Sequence, residues 1–292
     1  MTPQELLKQL NDAQGASVVF WGGLPTQVKA KVSSDIERAL EALQTDDNGN
    51  IKQTKANYAT ISKIRRLIGL AIKLNPWIRS KTEQFYRAFT SSANAIDEYV
   101  RTGLGGKVPE AFTEERRKQG LSLARRVMEG DGFESQVVDR FEDVVRQTVS
   151  TGGSRAGLRQ QTQRMVYGTQ GDLGVPGRYY SEASHNQFME YEREYFQAAA
   201  RDLELQWYLY EGPLKTTSRK FCERRAGEYY TAQEIRSWAS QQWQGKHKNT
   251  TQSSIFTYLG GYNCRHVAIP VMPEAVPVSA RRRAERLGFT TD

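Results

Sequence analysis

The sequence predicts an α+β protein: a helical N-terminal region followed by a small α+β domain with a short antiparallel sheet. Three observations carry this. Apolar residues recur at steps of three and four through the first 150 positions, the period of a helix with one buried face. After Gly177 the pattern changes, and Leu205, Trp207 and Leu209 alternate with period two, as on a strand. Between positions 216 and 271 the rare residue types concentrate: both cysteines, two of the three histidines, and Trp238 and Trp243.

In chain order, Thr2-Pro3-Gln4-Glu5 reads as a helix start, with Thr2 capping, Pro3 at the first helical position and Glu5 three residues after the cap. That helix is expected to end near Gln14-Gly15. Val18 to Trp21 is a short apolar run stopped by Gly22-Gly23, and a second helix is expected from Pro25 to Leu43, before the turn Asp46-Asp47-Asn48-Gly49-Asn50. Lys55 to Leu74 is the strongest amphipathic pattern, with Ile61, Ile64, Ile68 and Ile72 on one face. Pro76 breaks it, and Trp77 to Arg101 resumes it. Helices follow from Thr113 to Gly130, from a cap at Asp131 to the stop at Thr151-Gly-Gly-Ser154, and from Ser154 to Val166.

Tyr179 to Leu203 reads as a helix rich in aromatic and acidic residues. Leu205–Tyr210, Ile255–Leu259 and Val267–Val271 read as strands, with a helix capped by Thr231 and Glu234 running to about Trp243 and a polar loop over 246–254. After Pro270, Pro273 and Pro277 the chain is expected to leave the domain as a basic helix or tail. The resulting division is 1–150, 151–272 and 273–292.

Charge is uneven. Net charge is +8, made of −3 over residues 1–50, +9 over 51–130, −5 over 131–213 and +7 over 214–292. The +9 block places Lys63, Arg65, Arg66, Arg116, Arg117, Arg125 and Arg126 on helices, and makes them the candidate residues for sequence-independent contact with double-stranded DNA. The bland reading of the same residues is a solvated helical surface. No apolar run is long enough to span a bilayer, and the first residues lack the pattern of a secretory signal, so neither membrane nor export is expected. Two cysteines 42 positions apart make no disulfide framework, which points to a reducing cytoplasm.

Cys222, Cys264 and His266 are the notable candidates for chemistry. Zinc needs four protein ligands, or three and a water. There is no Cys-x2-Cys pair, and His247, which could be a fourth ligand, lies in the polar loop; no metal and no cofactor are expected. A cysteine hydrolase would need a thiolate, a histidine base and an oxyanion hole, and here the cysteine follows a Gly-Gly-Tyr-Asn turn. The expectation is two structural, buried thiols lying close together. Gly260-Gly261 and Asn263 suit a turn through positive φ. Arg219 and Arg265 are expected to pair with carboxylates of the Glu182–Glu194 helix, and Trp238 and Trp243 to pack in the core.

Thr217-Ser218-Arg219 with Phe221-Cys222, then Gly227, Tyr230, Glu234-Ile235, Trp238, Trp243-x-Gly245-Lys246, Ile255-Phe256, Gly261-Tyr262-Asn263-Cys264-Arg265-His266 and Pro270-Val271 form an ordered set of motifs. In order and spacing this set resembles the Mu F-like head morphogenesis family, the minor head proteins of tailed bacteriophages. It covers about residues 150–272. The chain departs from it where Lys215-Thr216 precede the Thr-Ser pair and Arg224-Arg225 follow Cys222. The resemblance implies a minor capsid protein acting in head morphogenesis, not an enzyme. It implies assembly in the host cytoplasm and a place in the virion, with the portal protein, a scaffold or major capsid protein, and packaged DNA as partners. The rival expectations are a cysteine- or zinc-dependent hydrolase around Cys222, Cys264 and His266, and a non-specific DNA-binding protein.

Overall fold

The computed structural model describes residues 1–18, 24–106 and 110–289. It is an α+β fold, mostly helical, with one small three-stranded antiparallel sheet. The elements in order are α1 (Pro3–Val18), α2 (Thr26–Leu40), α3 (Lys55–Lys73), α4 (Pro76–Thr102), α5 (Glu110–Glu129), α6 (Asp131–Phe133), α7 (Asp139–Thr151), α8 (Arg155–Tyr167), α9 (Gly174–Asp202), β1 (Trp207–Glu211), α10 (Lys220–Glu223), β2 (Glu228–Thr231), α11 (Ala232–Ser237), α12 (Ile255–Tyr258), β3 (Val267–Val271) and α13 (Val278–Arg286). The apolar run read at 18–21 and its Gly22-Gly23 stop fall almost wholly outside the described residues.

Two compact units emerge, and both are discontinuous in sequence. The helical unit comprises residues 16–86 and 122–184; the sheet unit comprises residues 1–15, 87–121 and 185–292. They cross the linear boundary at 150 because α4, α5 and α9 each contribute residues to both.

In the helical unit, Thr54 caps α3, its hydroxyl accepting from Asn57 N at 3.2 Å. The expected face is buried, with Ile61 at 1% exposure and Ile64, Ile68 and Ile72 at 0%. α3 packs against α2 and α7, and α2 also packs against α8. These isoleucines are therefore covered within the unit. The helix read from a cap at Asp131 is interrupted: α6 runs into a π-helical turn, Glu134–Val138, before α7. That extra residue in the turn sets Glu134, Asp139 and Glu142 around Arg65, at 2.7 to 3.1 Å. Ser154 caps α8 as expected, accepting from Gly157 N at 3.0 Å.

In the sheet unit, the start of α1 is the expected capping box, Thr2 and Glu5 exchanging backbone-to-side-chain bonds of 3.2 and 2.7 Å. The helix runs to Val18, past Gly15, a residue that weakens a helix without having to end it. The sheet order is β2-β1-β3, with Trp207 opposite Thr231 on one side and Val271 on the other. Central β1 is buried on both faces, so Tyr208 and Tyr210 are core residues as well as Trp207 and Leu209. Pro270 lies in an edge strand, where its missing N–H costs no ladder bond.

Two expectations fail here, and one strand is not read at all. Residues 255–258 form a helix, not a strand. Its Ile255 and Phe256 are both buried, and so short an apolar run fits either period. Strand β2 has no counterpart in the sequence reading, because Glu228-Tyr-Tyr-Thr lacks clear alternation. The chain does not leave the domain after Pro277: Ala280 and Ala284 of α13 pack with Val276 on Trp207, Leu209 and Val271. The Thr231–Glu234 capping box is present, but α11 is shorter than expected and passes into a 3-10 turn at Trp238–Ser240.

Candidate functional site

The site lies in the sheet unit, where a loop, a one-turn helix and the central strand meet. Gly260 and Gly261 begin the turn that delivers Cys264, Arg265 and His266. Gly261 has φ +93° and Asn263 φ +57°, the left-handed conformations that glycine and asparagine tolerate. At Gly260 a Cβ would lie 2.6 Å from Cys222 Sγ and 2.7 Å from Cys264 Sγ, so no side chain fits there. The turn is held from outside by Asn186, whose side-chain oxygen accepts from Asn263 N at 2.9 Å.

Cys222 comes from α10 and Tyr210 from β1. The two sulfurs are 3.9 Å apart, as expected for a close pair. Cys264 Sγ is 3.8 Å from His266 Nδ1. The Tyr210 hydroxyl donates to Cys222 Sγ at 3.4 Å and stands 3.9 Å from Cys264 Sγ. The His266 ring stacks on that of Tyr210, with centroids 5.2 Å apart. Cys222, Cys264 and His266 are 3%, 3% and 2% exposed, which closes them to any bulky substrate. The contact between the sulfurs pushes the Cys222 thiol up and draws the Cys264 thiol down, so of the two Cys264 gives up its proton the more readily.

Arg193 organises this region. Its guanidinium, on α9, donates to the carbonyls of His266 at 2.9 Å, Thr257 at 2.9 Å and Cys264 at 2.8 Å. Around it, burial pushes the Glu190 carboxyl up to about 7, while burial, with the charges of Arg265 and Arg193, pulls His185 down to about 4.

The expected pairing of Arg219 and Arg265 with the acidic helix is not formed: among the described residues neither makes an ion pair. Arg219 donates instead to Tyr262 O at 2.5 Å and lies against Gly245. The helix supplies its own cation, Arg193, to neutral carbonyls that would otherwise be buried unpaired. Trp238 is buried as expected, edge-on to Tyr210, Phe221 and Tyr230. Trp243 is half-buried, stacks on Phe221 and donates to Gly260 O at 3.0 Å. His247 stacks on Tyr258, away from the cysteines.

Two hollows adjoin the cluster. A cavity of about 60 Å³ is lined by Cys222, Cys264, His266, Ser218 and Arg219. A wide groove of about 1010 Å³ is lined by Thr217, Arg219, Arg224, Arg225 and Trp243.

The candidate DNA residues are divided between the units. Lys63, Arg65, Arg66, Arg125 and Arg126 belong to the helical unit, Arg116 and Arg117 to the sheet unit. Arg65 is engaged by three carboxylates and Arg117 by Asp97 at 2.8 Å. Arg116 is half-buried. Lys63, Arg66, Arg125 and Arg126 are exposed. Sequence reasoning missed Arg193 and Tyr210; the signal for the first was a lone arginine between Glu190, Glu192 and Glu194.

No family model, curated protein or solved structure matches the chain. Among the described residues no helix is long and apolar enough to cross a membrane.

Proposed function

We propose that the chain is a minor capsid protein of a tailed bacteriophage, acting in head morphogenesis with the portal and contacting packaged DNA. One observation supports it above the others. Motif residues drawn from 217 to 266 converge on one packed cluster, with Cys222, Cys264, His266 and Trp238 around Tyr210 and with Arg219 and Trp243 tied to the same turn. Motifs that converge in this way behave as one architectural unit, which suits an assembly protein. The deep burial of the thiols and imidazole gives the hydrolase reading little room for a substrate.

The test uses the full chain. Co-expressed with the portal protein of its phage, it should co-purify with that protein and appear in proheads and purified virions by mass spectrometry. Absence from both particles would sink the reading.

DNA contact has its own test, because the surviving candidates are exposed cations. Each phosphate contact contributes about −0.9 to the slope of log affinity against log salt. Lys63→Ala and Arg66→Ala should each reduce that slope by roughly this amount. Binding indifferent to salt would mean that these are solvated surface charges.

A further inference from the structure

We propose that Cys222, Cys264 and His266 form a thiolate–imidazole site for one zinc-class divalent ion, with water as the fourth ligand and Tyr210 as donor to the Cys222 sulfur. The sequence offers these three residues as ligand candidates, but their spacing matches no zinc module, since they come from α10 and from a turn more than 40 positions later. Space brings them together. Among the described residues these three form a group whose ligand atoms all lie within 4.8 Å of one another.

Two of the three ligand separations are close to those of a coordination shell, and the third lies within 4.8 Å. With metal–sulfur bonds of about 2.3 Å and metal–nitrogen bonds of about 2.0 Å, tetrahedral angles set two sulfurs about 3.8 Å apart and sulfur and nitrogen about 3.5 Å apart. The observed separations are 3.9 Å for the sulfurs and 3.8 Å for Cys264 Sγ to His266 Nδ1. These are long for good hydrogen bonds. His266 is buried, and its Nδ1, the nitrogen beside the sulfurs, makes only the 3.8 Å contact to Cys264 Sγ, so its lone pair is the one an ion would take while Nε2 carries the ring proton. Two sulfurs and an imidazole nitrogen are the donors that soft and borderline ions select. The adjoining cavity of about 60 Å³ exceeds the roughly 30 Å³ share of one water, so the fourth position can be filled. The Tyr210 hydroxyl, buried and aimed at Cys222 Sγ, is the outer-shell hydrogen bond that such sulfurs accept. Binding forms two metal–sulfur bonds and one metal–nitrogen bond, releases any thiol protons to solvent and changes no oxidation state.

The experiment is a cobalt titration of the full-length, metal-free, reduced protein, followed by visible absorption, with zinc measured by elemental analysis on the protein as purified. The expected result is saturation at one equivalent, with intense ligand-field bands of tetrahedral cobalt, a near-ultraviolet sulfur-to-cobalt charge-transfer band, and displacement of both by zinc. Tyr210→Phe, which keeps the ring, should weaken cobalt binding roughly tenfold, in the range of lost outer-shell partners. Cys222→Ser and His266→Gln should abolish the tetrahedral spectrum, with circular dichroism checking that the fold survives; because the wild-type spectrum stands alone, a misfolded variant does not void the test. Two reactive thiols with no cobalt spectrum would overturn the proposal. So would a Cys222–Cys264 disulfide in protein purified without reductant and lacking zinc, or a pale octahedral spectrum from surface carboxylates.

Discussion

Arg193 shows how one side chain can fix a site that its own helix does not contain. Three carbonyls of the 257–266 segment point at its guanidinium, and each would be buried and unpaired without it. Arg193→Leu is expected to lower unfolding stability by about 3–5 kcal/mol, read from the urea midpoint. Arg193→Lys should recover only part of this, because an ammonium cannot span three acceptors in one plane. Nearby, Glu190 and His185 make opposite contributions to pH dependence. Glu190 binds its proton more tightly folded than unfolded, so its contribution is full below pH 4.5 and is lost as pH rises through about 7. His185 binds its proton less tightly when folded, so its contribution is full above pH 6.5 and is lost as pH falls through about 4. Between pH 4.5 and 6.5 the two oppose each other. Chemical denaturation across that window should show His185→Asn losing stability as pH rises and Glu190→Gln gaining it; the reverse slopes would refute the assignment.

At the scale of elements, α13 is the part whose role changed most between sequence and structure. Its composition, Val278-Ser-Ala-Arg-Arg-Arg-Ala-Glu-Arg286, reads as a solvated basic helix, yet the small residues Ala280 and Ala284 let it lie close over Trp207 and Leu209. Arg283 anchors it, reaching Glu234 and Glu228 at 3.4 Å and the carbonyl of Tyr229, with its guanidinium over the Tyr230 ring. Deleting residues 278–292 should expose Trp207, red-shift its fluorescence and cost on the order of 3 kcal/mol. An unchanged denaturation midpoint would show that α13 is dispensable to the sheet.

At the scale of the molecule, the two discontinuous units bear on how the chain can be cut. A fragment of residues 1–150 loses α8, which packs on α2 and α7, and the bridge between Asn50 and Ser154. It also lacks the residues 151–184 that complete the helical unit. That fragment is expected to be aggregated or to show broad, non-cooperative thermal unfolding by circular dichroism. A soluble, sharply melting fragment would mean that the first 150 residues hold a self-sufficient core.

The sequence by itself determined the elements whose information is local. Thr2 with Glu5, Ser154, and Thr231 with Glu234 name their helix starts, because a cap is a contact between residues three apart. The buried face of α3 was legible because four isoleucines keep helical period. The turn at Gly261 and Asn263 was legible because few residues accept positive φ. What only the tertiary structure decided depends on partners far along the chain. Residues 255–258 carry too short an apolar run to fix a period, and their packing made them a helix. Tyr210 reads as an outward strand residue until its other face is covered by Phe221, Trp238 and His266. Which cation reaches the Cys264 carbonyl, and that Cys222, Cys264 and His266 meet at ligand distances, follow from where α9, α10 and the Gly260 turn come to rest against one another. No period or spacing records that, because the energy lies in contacts that exist only once the chain has folded.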